Sequence, residues 1–179
     1  MLGYWAIRGL AERLRLLLEY CEIPYTEEKY EGPEGRVRWF SKVKPSLLEK
    51  NAAINLPYLI DGDQVITESD AIVVHLCYKA NKTELLGRDV KEQVALATAH
   101  GVFKDLYPNY IKLVYGSYNE TRTFETALKE SSDIFAPYLK KLNGLLGKKE
   151  YICGNLTWLD FGLADFFQIL SLLDAKILE

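Results

Sequence analysis

Asn55-Leu56-Pro57-Tyr58-Leu59-Ile60-Asp61-Gly62-Asp63-Gln64-Val65-Ile66-Thr67-Glu68-Ser69 is the stretch that decides the fold. Leu56 to Ile60 reads as an apolar strand entered through a proline. Asp61-Gly62-Asp63 is a strong hairpin signal, because a tight two-residue turn needs the backbone freedom of glycine. Gln64 to Thr67 returns as the partner strand. Glu68-Ser69 then opens a helix that continues through Ala71, Ile72, Val74, His75, Leu76 and Tyr78 to end near Ala80. A β-β-α unit therefore closes the first eighty residues.

Upstream of it, Leu2-Gly3-Tyr4-Trp5 is a short apolar strand and Arg8-Gly9 a turn. From Leu10 the apolar positions Leu14, Leu17 and Leu18 share one helical face, with Glu12, Arg13, Arg15 and Glu19 largely on the other. Ile23-Pro24 stops that helix. Tyr25 to Tyr30 alternates like a half-exposed strand, and Gly32-Pro33 with Gly35 reads as a loop. Arg36 to Lys50 reads as one or two short helices broken at Pro45. The predicted order is β-α-β-α-β-β-α, over residues 1–80.

Residues 81–88 are polar and read as a linker, and everything from 89 to 179 is helical. Val90, Val94, Ala97, Gly101 and the segment Val102 to Tyr110 fit one long amphipathic helix. Phe124, Leu128, Phe135, Tyr138, Leu142 and Leu145 fit a second, kinked or split at Pro137, with Gly144 and Gly147 helping to end it. Thr157-Trp158-Leu159-Asp160 has capping-box spacing, with Asp in the place usual for Glu or Gln. The helix after it is apolar nearly all round, as befits the middle of a domain.

Bulk properties narrow the function. The chain has 179 residues, 49% hydrophobic and 26% charged, with a net charge of −3. That balance is globular and carries no electrostatic footprint for nucleic acid. No apolar run approaches the roughly 18 residues of a membrane span. No signal peptide precedes Leu2, which predicts a cytoplasmic protein. Cys21, Cys77 and Cys153 are far apart and odd in number, which argues for reduced thiols. With His75 and His100 they form no metal-ligand spacing, and both histidines read as structural.

An N-terminal β-α-β and β-β-α arrangement followed by a helical bundle is a thioredoxin-like domain joined to an all-α domain. The local motifs say more. Leu2-Gly3-Tyr4-Trp5-Ala6-Ile7-Arg8-Gly9-Leu10-Ala11, continued by Arg15-Leu16-Leu17-Leu18-Glu19-Tyr20, resembles the opening of mu-class glutathione transferases. So do Asn55 to Gly62, Glu68-Ser69 with Ala71-Ile72, and Gly154-Asn155 with the Thr157/Asp160 box. The resemblance covers essentially the whole chain. Family members continue with further helical segments beyond the position of Glu179, so it implies a helical half shortened at its C-terminus.

What the resemblance implies is a transferase that detoxifies soft electrophiles with glutathione. Glutathione serves as substrate, and no metal or redox cofactor is needed. Twelve tyrosines are present, so residue type alone does not single out Tyr4; its Gly-Tyr-Trp context does. Tyr4 is implied to donate a hydrogen bond to the glutathione sulfur and favour the thiolate, with Trp5 beside it. Arg36 and Trp39 correspond to the pair that meets the glycine end, together with a lysine, Lys42 or Lys44. Leu56 is implied to pair through its backbone with the cysteinyl part, ahead of a cis Pro57 and steadied by Asn55. Ser69 would bind the γ-glutamyl carboxylate at a helix start, where free amides favour anions. Glu68, in place of the usual glutamine, would face the ammonium. Asp105 and Tyr115 have the spacing of a residue that reaches the neighbouring subunit's glutathione and of one that assists the electrophile. Ala52-Ala53-Ile54 stands where the mu class carries an aromatic that plugs a partner subunit. The expected partners are thus glutathione, a small hydrophobic electrophile, and either a homodimer without that plug or a larger complex. The alternative function is a non-catalytic subunit of such an assembly.

Overall fold

The structure, a computed structural model, describes residues 1–178. The chain divides into two units, Met1–Thr83 and Glu84–Glu179.

In the first unit, β1 (Leu2–Trp5), α1 (Glu12–Tyr20) and β2 (Glu27–Tyr30) are followed by α2 (Gly32–Arg38), a π-helical turn (Trp39–Val43) and α3 (Lys44–Leu48). β3 (Tyr58–Asp61), β4 (Gln64–Thr67) and α4 (Ser69–Lys79) complete it. The sheet order is β2-β1-β3-β4. β1 runs parallel to β2 with Gly3 opposite Glu28 and Trp5 opposite Tyr30, and antiparallel to β3 with Gly3 opposite Tyr58. β3 and β4 form the hairpin, with Asp61 opposite Gln64. Gly62 takes a φ of +63° at the first turn position, where an L side chain would be strained.

Side chains alternate across a strand, so the pairing sorts the two faces. Leu2, Tyr4, Glu27 and Leu59 point to the side of α1, whose Leu14, Leu17 and Leu18 are buried. They are joined in the core by Ile72, Val73, Leu76 and Cys77 of α4. Gly3, Trp5, Glu28, Tyr30 and Tyr58 point the other way. There Trp39 stacks on Tyr58 at 5.7 Å between ring centroids, and Tyr30 lies 5.4 Å from Trp39. The Tyr30 and Tyr58 hydroxyls are 2.8 Å apart, and Tyr58 donates to Glu28, which pairs with Arg38. Burial pushes both phenols up, Tyr30 to about 12, so both stay protonated and act as hydrogen-bond donors.

The segment after β2 departs from expectation. Gly32-Pro33 and Gly35 are the first turn of α2 rather than a loop. Proline suits a first turn, where its missing N–H costs no helical bond. Gly35 is needed for contact: a Cβ there would lie 2.7 Å from the Tyr30 carbonyl carbon. Pro45 does not break the helix either, because it falls in the first turn of α3.

The second unit holds α5 (Val90–Val114), α6 (Phe124–Leu146) and α7 (Trp158–Leu173), ending in a 3-10 turn, Ala175–Leu178. Asp89 and Thr123 cap α5 and α6 by accepting from Glu92 and Thr126 amides. The core face of α5 is Leu96, Ala99, Phe103, Leu106 and Leu113. Val90 and Val94 are 75% and 62% exposed, so the apolar row read from the start of this helix is its outer side. α6 runs through Pro137 without interruption and ends on Gly147 at a φ of +57°, with Gly144 inside the helix. The box that starts α7 is formed: the Asp160 carboxylate accepts from the Thr157 amide at 2.8 Å and from the Ile152 amide at 3.1 Å. Seven residues of α7 are buried, which suits its nearly uniform apolarity. No helix among the described residues is long and apolar enough to cross a membrane.

Candidate active site

Tyr4 lies one residue from the end of β1, buried, on the α1 side of the sheet. The chain leaves β1 through an irregular turn, passes Gly9 and enters a 3-10 turn, Gly9–Ala11. This path brings the Leu10 amide to the Tyr4 hydroxyl, which accepts from it at 3.1 Å. Gly9 is needed twice over. Its φ is +44°, and a Cβ there would lie 2.8 Å from the Tyr4 hydroxyl oxygen. The phenol is therefore tucked beneath a backbone turn that leaves no room for a side chain.

Across the sheet, Gly3 pairs with Tyr58, so the next step of the register brings Tyr4 level with Pro57. The Leu56–Pro57 peptide is cis. Among the described residues, no backbone hydrogen bond engages the amide or carbonyl of Leu56. The loop is held by Thr67, whose hydroxyl accepts from the Asn55 amide at 3.1 Å and lies 2.9 Å from the Asn55 carbonyl and 3.2 Å from that of Pro57. Asn55 thus acts through its main chain, with its side chain exposed.

Thr67 ends β4, and the next two residues are Glu68 and Ser69. Glu68 is exposed and takes a φ of +68° and ψ of 119°, a conformation uncommon for a side-chain-bearing residue. Such a conformation persists where the surrounding structure fixes it, and functional sites are where it collects. Ser69 is the buried first residue of α4, whose leading amides lack intrahelical acceptors and carry the positive end of the helix dipole. Tyr4, the Leu56–Pro57 loop and the start of α4 are tied into one region by the register and by Thr67.

The cationic side is looser. Arg36 is exposed in the last turn of α2, with its guanidinium 5.8 Å from the Phe40 ring. Lys42 is exposed and Lys44 half-buried. Trp5 is half-buried, edge-on to Tyr30 at 6.2 Å. Trp39 corrects the sequence reading. It has 0% exposure and is stacked inside the aromatic cluster, so it has no surface to offer a ligand in this structure. Burying so large an apolar ring against Tyr30 and Tyr58 is favourable in itself, which is the physical reason it sits in the core. Asp105 and Tyr115 belong to the second unit. Asp105 is exposed on α5, and Tyr115 caps the end of that helix at 64% exposure.

Sequence reasoning missed three contributors: the Leu10 amide, Gly9 as the residue that lets the turn close on Tyr4, and Thr67 as the brace of the cis-proline loop. Only Gly9 left a signal, as a turn; a backbone amide has none. Among the described residues no group of three His, Cys, Asp or Glu is placed to hold a metal.

Residues 1–77 match the family described as the glutathione S-transferase N-terminal domain. The whole chain is 35% identical to human Glutathione S-transferase Mu 1, covering 79% of that protein. It is 34% identical to the class-mu 26 kDa isozyme of Schistosoma japonicum, covering 77% of it. Among solved structures, the glutathione S-transferase of Ascaris lumbricoides matches with a TM-score of 0.70 at 26% identity, over 99% of this chain and 83% of that one.

Proposed function

The chain belongs to the mu-class glutathione transferases, and from that membership we propose that it activates the glutathione thiol through Tyr4 and conjugates the thiolate to a small hydrophobic electrophile. The observation that carries this reading is the Tyr4 hydroxyl held at 3.1 Å by the Leu10 amide at the end of β1. A phenol that accepts one hydrogen bond becomes a stronger donor, because linked hydrogen bonds polarise one another. Donation to sulfur favours its charged form and lowers the thiol pKa. The thiolate is the nucleophile. It forms the new carbon–sulfur bond while the leaving group departs with the electron pair, or while an added carbanion takes a proton from solvent.

The remaining residues bind and orient. Among the described residues no backbone hydrogen bond engages Leu56, which suits strand-like pairing with the cysteinyl part. Ser69 and the first amides of α4 suit the γ-glutamyl carboxylate, and Glu68 its ammonium. Arg36 with Lys42 or Lys44 suits the glycine carboxylate. Glutathione enters as substrate, and the reaction draws on no metal or redox cofactor. Orientation contributes by turning a bimolecular encounter into a bound geometry.

Tyr4→Phe tests this. Turnover with a generic aryl halide at neutral pH is expected to fall about a hundredfold, the usual cost of removing one donor to a catalytic anion. Glutathione affinity by calorimetry stays nearly unchanged. Equal turnover in the two proteins sinks the role of Tyr4.

A second reading rests on Ala52 and Ala53, both exposed where the class carries its intersubunit aromatic, with Ile54 buried in its own unit. On it, the chain keeps its glutathione site inside an assembly without conjugating anything. Glutathione binding with no Tyr4-dependent turnover on any electrophile, in a protein that elutes in a fixed ratio with other chains, favours that reading.

A further inference from the structure

Arg15, on α1, is held by four acceptors at once. Its Nε donates to Glu27 Oε1 at 2.6 Å, and its Nη1 donates to Glu12 Oε2 at 2.8 Å. The same Nη1 reaches the carbonyl oxygens of Ile7 at 3.1 Å and Arg8 at 3.4 Å. The Arg15 side chain is 15% exposed and that of Glu27 16%, so this is not a solvated surface pair of negligible worth. Burial works against the charge, but Glu12 and Glu27 outweigh it and hold the guanidinium protonated. Of the other groups around it, Lys29 pairs with the second oxygen of Glu27 at 3.0 Å. The Tyr25 phenol is near enough to feel the arginine charge.

The two carbonyls are what give this cluster a function. They belong to the turn that leads from β1 to the residue holding Tyr4. The Arg8 carbonyl also accepts from the Ala11 amide at 3.2 Å and the Glu12 amide at 3.1 Å. It is thus the point at which Arg15 and the 3-10 turn meet. Between that anchor and Ala11 stand only Gly9, pressed on the phenol, and Leu10, whose amide donates to it. A hydrogen bond of this kind is weak beyond about 3.5 Å, so a turn that drifts by half an ångström loses it.

We propose that Arg15 is a positioning residue for Tyr4: by clamping the Ile7 and Arg8 carbonyls it fixes the Leu10 amide on the Tyr4 hydroxyl and so sets how strongly Tyr4 donates to the glutathione sulfur. The inference rests on the reading of Tyr4 given above. Glutamine at position 15 keeps a polar side chain but loses the charge and the fork. Lysine keeps the charge and one acceptor without reaching all four.

The test is a double-mutant cycle read through the titration of the bound thiol. Thiolate absorbance of glutathione bound to wild type, Arg15→Gln, Arg15→Lys, Tyr4→Phe and Tyr4→Phe/Arg15→Gln is followed against pH. The expected result for Arg15→Gln is a thiol pKa about one unit higher, roughly a tenfold smaller thiolate fraction near neutrality. The rising limb of the kcat/KM profile moves with it, and the KM for glutathione changes little. Arg15→Lys lies between. In the Tyr4→Phe background the Arg15 effect disappears, because coupled residues are not additive. An unmoved titration in both Arg15 variants, or an undiminished Arg15 effect without the Tyr4 hydroxyl, overturns the proposal while leaving Tyr4 its role. A titration that Tyr4→Phe itself leaves unmoved overturns the Tyr4 reading, and this proposal with it. If Arg15→Gln does not fold, Arg15→Lys alone carries the comparison.

Discussion

At the residue scale, Gly3 determines what its neighbours can do. A Cβ on Gly3 would lie 2.1 Å from Tyr58 Cζ, inside a ring that Trp39 stacks on and that hydrogen bonds to Tyr30 and Glu28 fix in place. Gly3→Ala must therefore displace the strand or the cluster. Overpacking of this kind costs about 3 kcal/mol, to be read as a lower urea midpoint at unchanged slope; a midpoint equal to wild type would mean the ring gives way freely. Of the candidate site residues, Tyr4, Pro57 and Ser69 could be singled out because each stands in a distinctive local string, and the fold brings the three segments into one region. The cis state of Pro57 was likewise expected and is present. The burial of Trp39 could not be read in advance, because its motif neighbours say nothing of the Tyr58 ring it stacks on. The Leu10 amide and the Arg15 clamp were illegible because a backbone group reveals its partner only once the chain has turned back on itself.

At the scale of elements, the start of α7 is where the second unit commits one carboxylate to several donors. Asp160 accepts from the Thr157 amide and hydroxyl and from the Ile152 amide. Removing it in Asp160→Ala leaves those donors without their acceptor and loses a cap, for about 2 kcal/mol. Thermal unfolding followed by circular dichroism checks this, and Asp160→Glu is expected to recover part of the loss; a melting temperature within error of wild type for Asp160→Ala would refute it. Local pattern located nearly every element, since hydrophobic period and turn residues act over a few positions. It misjudged those whose role depends on neighbours. Gly32, Pro33 and Gly35 look like loop composition, yet they form a helical turn because α2 must pass tightly against the end of β2. Val90 and Val94 look like a core stripe, yet the core takes the Leu96–Phe103–Leu106 side of α5.

For the molecule as a whole, the response to acid follows from carboxylates that are ionised in partnership. Lys79 and His75 hold the Asp61 carboxyl below its ordinary range. Burial pushes Glu27 up, but Arg15 and Lys29 outweigh it and its value is lowered too. A folded value below the unfolded one gives stability that is present above the unfolded value, near 4, and lost as pH falls through the folded value. Stability measured by urea is therefore expected to hold from neutrality down to about pH 5 and to decline below it. In Glu27→Gln/Asp61→Asn that decline is shallower from a lower starting point; an unchanged acid slope would remove these two groups from the account.

The sequence by itself determined the order β-α-β-α-β-β-α, the hairpin at Gly62, the helical second half and the family, because these rest on periodicity, turn chemistry and contiguous motifs. Only the tertiary structure decided that Trp39 is core, that α2 begins at Gly32, which side of α5 is buried, and that Arg15 reaches the turn above Tyr4. Those outcomes depend on which surfaces meet. A side chain's nearest neighbours in space are set by packing between distant segments, and packing is a competition that no short stretch of sequence contains.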